Sequence, residues 1–372
     1  MIRLSKSCLG DLEKKAVMGV LERGFLGMGN EVLQFEKELS IFFGRKAVCV
    51  STGTAALHLA LQASNIGPGD EVLVQSLTYV ASFQAISATG ATPVACEVDP
   101  STLCIDLNDA KKKFNQNTKA IMPVHYAGGV GELDKIYTFA RENSLSVIED
   151  ASHAFGTKYQ NKKIGSFGGV SCFSFDGIKN ITSGEGGCIV TDDQMILNKV
   201  MDSRLLGVEK DTIKRFANQR SWSFSVVDQG WRYHMSNIMA AIGIEQLRRF
   251  DEFAKKRRQL AARYTEKISG MAGIDRLVPM LTGVVPHIYV VVLDRAVDRD
   301  KVREILSINQ IETGVHYMPN HLHEFYKTKI ELPVTSQIYQ SLLTLPLHAD
   351  LSIDEVDYIS YKLSQAIVLS QE

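Results

Sequence analysis

Lys179 stands in the run Ser174-Phe-Asp-Gly-Ile-Lys179-Asn-Ile-Thr-Ser-Gly184-Glu185-Gly186-Gly187, between two short apolar stretches that read as buried strands. A lysine on such a connection is most often a solvated charge. Here Gly184, Gly186 and Gly187 make a turn that permits unusual backbone angles and lets another group approach the main chain. Upstream, Ser146-Val-Ile-Glu149-Asp150-Ala-Ser-His153 is an apolar strand that ends in two carboxylates and then a histidine. Ligands in parallel α/β sheets sit at the carboxyl ends of strands, and Asp150 is at such an end. A lysine amine able to form a Schiff base, with an aspartate able to keep a pyridine nitrogen protonated, is the minimal protein equipment for pyridoxal phosphate chemistry. The remaining requirement is a phosphate cradle. Ser51-Thr52-Gly53-Thr54-Ala55 offers one, where a strand ends and the N–H groups of a helix start favour an anion. The same residues also read as an ordinary helix N-cap.

Regular alternation of elements must position these groups. Strand-like runs at 47–50, 71–74, 92–96, 120–124, 145–149, 171–175 and 188–190 are separated mostly by helix-like segments at 55–63, 79–88, 107–114 and 133–143. Strand and helix in alternation predict an α/β fold, with a mostly parallel sheet sandwiched by helices. From 236 to 269 apolar residues recur at helical spacing, which predicts one or two long helices. Beyond them lie an expected strand at 287–293, a helix at 299–308, a short strand at 313–317 and a terminal helix at 353–368. The division expected is a large domain over 1–245 and a smaller α+β domain over 246–372.

Composition narrows the classes. With 372 residues, 41 basic and 42 acidic side chains and a net charge of −1, the chain has room for two lobes and lacks the basic excess of a nucleic-acid or membrane-surface binder. Apolar runs are short and broken by charge, and the first residues lack a signal-peptide core, so a cytoplasmic protein that spans no membrane is expected. Cysteines 8, 49, 96, 104, 172 and 188 have no metal-type spacing and read as small core residues, with no metal site.

With those residues in view, the chain resembles the nucleotide-sugar aminotransferases of the DegT family, which have the type I, aspartate aminotransferase fold. The resemblance runs nearly end to end. It is carried in order by Gly24-Phe-Leu-Gly-Met-Gly-Asn with Phe35-Glu36, Thr52-Gly53-Thr54-Ala55-Ala56-Leu57, Ser76-Leu-Thr78-Tyr79-Val-Ala-Ser82 and Pro123-Val-His-Tyr-Ala-Gly128. Glu149-Asp150-Ala-Ser-His153-Ala, Ser174 through Gly187, and Gly314-Val-His316-Tyr-Met-Pro319 complete it. Carried over position by position, the resemblance implies that Lys179 is the Schiff-base lysine and Asp150 the partner of the pyridine nitrogen of pyridoxal 5'-phosphate. It implies that Gly53, Thr54 and Ser174 hold the phosphate, that Tyr79 stacks on the ring, and that His153 lies near the ring and its phenolic oxygen. His287, His316 and His321 fall where relatives shape the sugar or nucleotide pocket.

The family also implies a homodimer with shared active sites, in which Gly230-Trp-Arg232-Tyr-His-Met-Ser236 reaches the neighbouring subunit. Two positions depart from the pattern. Arg232 stands where many relatives place a phosphate-contacting asparagine. Asp176-Gly177 replaces a common histidine and proline, a change expected to alter the turn without touching the lysine. The reaction implied moves an amino group from glutamate to a nucleotide-linked keto sugar. Lys179-Asn-Ile-Thr-Ser-Gly-Glu-Gly-Gly187 is similar to relatives that aminate carbon 4, which points to a 4-keto-6-deoxyhexose and to surface glycan such as O-antigen or lipopolysaccharide. The alternatives are a C3 aminotransferase and a non-catalytic regulator that binds the same cofactor. Pocket shape, set by loops such as 209–222, decides the sugar.

Overall fold

The computed structural model describes residues 1–217, 219, 223–279 and 281–371. Seven strands build the main sheet: β1 (Lys46–Val50), β2 (Glu71–Gln75), β3 (Thr92–Cys96), β4 (Thr118–Met122), β5 (Ser146–Asp150), β8 (Val170–Ser174) and β9 (Gly187–Thr191). The short β6 (Lys158–Tyr159) and β7 (Lys162–Lys163) form a separate hairpin. Spatial order is β1-β9-β8-β5-β4-β2-β3. Pairs β2–β3, β2–β4, β4–β5 and β5–β8 are parallel, whereas β9 runs antiparallel to both β1 and β8. Strands such as Val-Leu-Val in β2 and Ala-Ile-Met in β4 are buried throughout, as a sheet covered on both faces requires.

Helices α1 (Asp11–Arg23), α2 (Asn30–Phe43), α3 (Gly53–Ala63), α4 (Ala81–Ala88), α5 (Leu107–Lys113), α6 (Leu133–Glu142), α7 (Gln194–Ser203), α8 (Asp211–Phe216) and α9 (Asn237–Arg248) precede α10 (Phe250–Ile268). Two of them flank the sheet's first strands with clear end signals. Thr52 caps α3 by accepting the Ala55 N–H at 3.0 Å, and Gly44, with a φ of 70°, ends α2 in the left-handed conformation that glycine adopts without strain. A second, three-stranded antiparallel sheet of β10 (Ile274–Leu277), β11 (Tyr289–Leu293) and β12 (Leu342–Leu345) packs with α11 (Arg299–Ile308) and α13 (Ile353–Ser370), while α12 (Pro333–Ser341) precedes β12. Helix α10 links two cores: Phe250, Phe253 and Ala254 pack with the first, Leu260, Tyr264 and Ile268 with the second. The chain start also joins the second unit, through a parallel bridge of Ile2 to Ile311.

Three local expectations shift. The helix expected over 79–88 begins at Ala81, which leaves Tyr79 on the preceding turn and 59% exposed. The strand expected over 120–124 stops at Met122, because Pro123 has no N–H to continue the ladder. The strand expected over 313–317 does not form. Only Gly314 pairs, with Thr344, and the chain then turns away so that His316 and Tyr317 face a cavity. Of the loop 209–222, residues 218 and 220–222 lie outside the described residues.

Candidate active site

The carboxyl ends of the parallel strands open on a cavity of about 530 Å³, lined by Thr52, Gly53 and Thr54 on one side and by Asp150, His153, Ser174, Lys179, His316 and Tyr317 on others. Tyr79 lies against it, its ring 5.5 Å from that of Tyr317. Asp150, at the last position of β5, is buried, and its charge is met only by neutral donors: Ser82 Oγ at 2.7 Å on one oxygen, Ser152 Oγ at 2.6 Å and the Ser152 N–H at 3.2 Å on the other. No cation contacts Asp150 within ion-pair distance among the described residues, although its charge reaches the Lys179 amine, so the buried carboxylate keeps room for a cationic N–H from a ligand.

Side chains alternate along β5, and the neighbouring carboxylate goes to the other face. Glu149 accepts from Tyr137 Oη at 2.6 Å and Ser171 Oγ at 3.2 Å, and pairs with His125 Nε2 at 2.7 Å. Of the two acids that end this strand, one is therefore held inside the structure and one faces the cavity.

Lys179 follows a turn closed by its own N–H on the Asp176 carbonyl at 3.1 Å, and Gly184 completes the connection at a φ of 81°. Burial lowers the amine from 10.5 to about 8, against the opposing pull of Asp150 and Asp176. Asp176 thus acts on the lysine by its charge, although the sequence suggested a change confined to the turn. Its carboxylate also helps raise Glu185, after burial, and Glu185 lines the same cavity.

The start of α3 packs closely against Ser174. A Cβ on Gly53 would lie 2.7 Å from Ser174 Cβ, so only glycine fits there. The first-turn N–H groups of Gly53 and Thr54 have no partner within a helix and are directed outward at its positive end. This fits an anion such as a phosphate.

Not every expected residue reaches the cavity. His287 is buried behind it, its ring 4.3 Å from that of His153. His321 is taken up by Ser76 Oγ at 2.7 Å and Ser336 Oγ at 3.0 Å and lies outside the cavity lining. Arg232 pairs with Leu205 through an antiparallel bridge, also outside the lining, on a connection where Phe224, Val226 and Val227 are exposed. Tyr126, Asp176, Glu185 and Tyr317 line the cavity without having been singled out as site residues. Tyr317 had a signal, since it directly follows His316 in one of the recurring segments.

Comparison with known proteins agrees with this geometry. The model of the DegT/DnrJ/EryC1/StrS aminotransferase family matches residues 7–364. The spore coat polysaccharide biosynthesis protein SpsC of Bacillus subtilis is 37% identical over 362 residues, covering 94% of this chain and 92% of that one. Among solved structures, PseC of Helicobacter pylori, an aminotransferase involved in the biosynthesis of pseudoaminic acid, superposes with a TM-score of 0.92 at 29% identity over 99% of both chains. Spr1654 of Streptococcus pneumoniae, in its PMP-form, does so with a TM-score of 0.92 at 28% identity over 100% of both. The chain belongs to the DegT/DnrJ/EryC1/StrS aminotransferase family. It is an aminotransferase, and its cofactor is pyridoxal phosphate.

The cradle provides a test of the phosphate position. Gly53→Ala is expected to weaken binding of pyridoxal phosphate about tenfold or more, the effect of forcing one methyl into a closed contact. Binding of unphosphorylated pyridoxal should change little. Fluorescence titration with both ligands checks this, and equal losses for the two would place the phosphate elsewhere.

Proposed function

We propose that this aminotransferase transfers the amino group of glutamate to carbon 4 of a nucleotide-linked 4-keto-6-deoxyhexose, for surface glycan such as O-antigen or lipopolysaccharide. The observation that carries the sugar position is the turn from Lys179 to Gly187, whose pattern is similar to that of C4-aminating relatives and whose Glu185 lines the cavity. A carboxylate there suits a sugar, since it accepts hydrogen bonds from hydroxyl groups. The polysaccharide role of SpsC and the pseudoaminic acid role of PseC support a carbohydrate substrate.

When bound, pyridoxal phosphate takes up the amino group and serves as an electron sink, so that the hydrogen next to nitrogen leaves as a proton. In this reading Gly53, Thr54 and Ser174 hold its phosphate, and Asp150 keeps its ring nitrogen protonated. Tyr79 covers the ring at the cavity mouth. Lys179 would supply the attachment point and, once released, would take the proton from the donor carbon in one half-reaction and deliver a proton to the sugar carbon in the other. Its lowered pKa leaves a usable fraction of free amine near neutral pH. His316, beside Lys179 in the lining, is placed to meet the substrate. The balanced reaction converts glutamate and keto sugar into 2-oxoglutarate and amino sugar.

The site is shared in a homodimer: Arg232 and the exposed apolar residues Phe224, Val226 and Val227 of one subunit turn toward the neighbour, with Arg232 on its phosphate. Sedimentation at the mass of a single 41.2 kDa chain would contradict this arrangement. No helix among the described residues is long and apolar enough to cross a membrane, and the proposed location is the cytoplasm, where cell fractionation should find it.

Product analysis tests the substrate. Incubation with glutamate and a panel of nucleotide-linked 3-keto and 4-keto sugars should give an amine at carbon 4, identified by NMR. An amine at carbon 3 would overturn the position while leaving the transaminase intact.

A further inference from the structure

The first eight residues tie the second unit to the turn that carries Lys179. Ile2 lies along residues 310–312, its N–H on the Gln310 carbonyl at 2.7 Å and its carbonyl accepting the Glu312 N–H at 3.0 Å. The Leu4 N–H donates to Glu312 Oε2 at 3.0 Å, and the Leu4 carbonyl accepts the Leu347 N–H at 3.0 Å. Its side chain packs so closely on Gly314 that a Cβ there would lie 2.7 Å from Leu4 Cδ2. Just beyond Gly314 the same segment brings His316 and Tyr317 to the cavity. At the other end of the stretch, Ser7 Oγ donates to the Gly177 carbonyl. The Cys8 carbonyl accepts from Gln246 Nε2 at 2.9 Å, and the buried Gln246 in turn accepts the Thr182 N–H on Oε1 at 3.3 Å. Lys179 is thus bracketed, at Gly177 directly and at Thr182 through one glutamine. Chain ends are tied down in many domains. Here the ties land on the two segments that bring Lys179 and the His316–Tyr317 pair to the active-site cavity.

We infer that this stretch is a strap that fixes the catalytic lysine, and that Ser7 is a positioning residue acting through Gly177. The inference rests on the role given above to Lys179. Its physical reason lies in the turn. Asp176, Ile178 and Lys179 line the cavity, and the Asp176 carbonyl is taken within the turn by the Lys179 N–H. The next carbonyl, that of Gly177, has its partner outside the turn, in Ser7. Glycine leaves this peptide more backbone freedom than any other residue would, so an external tether has the most to restrain here. Without Ser7 the turn samples more orientations, and a proton-transfer group that is slightly displaced works from a less favourable geometry. Because Leu4 packs on Gly314, the short stretch from Leu4 to Ser7 also links the position of the His316–Tyr317 wall to that of the lysine.

The experiment compares Ser7→Ala, Ser7→Thr and Leu4→Ala with wild type by two measurements. In the cofactor-free proteins, amide hydrogen exchange over residues 175–182 is expected to be about fivefold faster in Ser7→Ala, the population change set by one ordinary hydrogen bond. Ser7→Thr keeps the hydroxyl and should exchange as wild type does. In the loaded enzymes, the rate of the half-reaction with glutamate, followed by stopped-flow absorbance, should fall about five- to tenfold in Ser7→Ala with the KM for glutamate unchanged. Ser7→Thr should recover that rate. Leu4→Ala should act in the same direction, and the double variant should be no slower than the slower single one, since the same strap is already broken. An unchanged rate in Ser7→Ala overturns the inference even where exchange is faster, because the tie would then be structural only. Losses that multiply in the double variant also overturn it. If Ser7→Ala fails to fold, Ser7→Thr against Ser7→Val, alike in shape and differing by the hydroxyl, decides. A wild-type enzyme that does not react with glutamate would contradict the proposed donor instead, and the variants are then compared with the amino acid that does react.

Discussion

Lys179→Met is expected to abolish transamination, by roughly 10⁴-fold or more, because one substitution removes both the nucleophile and the proton-transfer group. Purified with pyridoxal phosphate, the variant should lack the visible band, and glutamate should change nothing in its spectrum. The same variant makes a second, opposite forecast for stability. In the folded, cofactor-free protein burial lowers the Lys179 amine from 10.5 to about 8. Between those values the unfolded chain binds the proton that the folded chain has lost, so stability rises with pH across this window. Below about pH 8 the folded state carries the full cost of the buried cation, roughly 3 kcal/mol. Methionine, of similar length and without charge, is free of it. The cofactor-free Lys179→Met protein should therefore unfold at a higher temperature than wild type at pH 7, with the difference fading as pH approaches 10.5. A variant that melts lower at every pH would show that the lysine is not held against its solvation preference. Catalytic residues held at a cost to stability are a recurrent feature of active sites, and the amine here pays it to be partly neutral at working pH.

What was legible in the sequence follows from which interactions are local. Strands buried on both faces announce themselves as short apolar runs, so the seven strands of the main sheet stand within a few positions of where pattern alone puts them. The antiparallel direction of β9 was not readable, because periodicity is blind to strand direction. The helix at Arg299–Ile308 was readable to its ends, where Asp298 caps the first turn through the N–H groups of Asp300 and Lys301. Helices α1 and α2 were harder to see, since apolar residues such as Leu12, Met18, Leu33 and Ile41 lie on their exposed sides and blur the pattern. In the site, Lys179, Asp150 and the Thr52–Thr54 turn were legible because glycines and chain-end carboxylates mark them locally. Tyr317 and Asp176 both stood in segments that the sequence marked, but what they touch or act on was hidden, because it depends on contacts made across the fold. Tyr317 meets a histidine from the loop after β5, and Asp176 acts through its field on the lysine. For the same reason the sequence could not show that both ring nitrogens of His321 meet serines, Ser76 and Ser336.

Asp150→Asn separates holding the cofactor from activating it. The amide is nearly the same size and keeps an oxygen for Ser82 or Ser152, so fold and phosphate contacts should survive and the protein should still bind pyridoxal phosphate. What disappears is the negative charge, which is buried and paired with no cation among the described residues. In a site of low polarity that charge strongly favours a protonated ring nitrogen, and without it the ring withdraws electrons poorly when the donor's proton leaves. The rate of the half-reaction with glutamate should fall about 10²–10³-fold, the range for losing one preorganised electrostatic partner, while cofactor affinity falls much less. Stopped-flow absorbance on the loaded variant reads the rate directly. A second measurement separates charge from shape: pyridoxal phosphate methylated at the ring nitrogen carries a permanent positive charge and needs no carboxylate to keep it. Loaded with that analogue, Asp150→Asn should recover a substantial part of the lost rate, whereas wild type should gain nothing. A variant that transaminates at the wild-type rate with the natural cofactor would remove Asp150 from the mechanism, and the ring nitrogen would then have to lie against another part of the cavity.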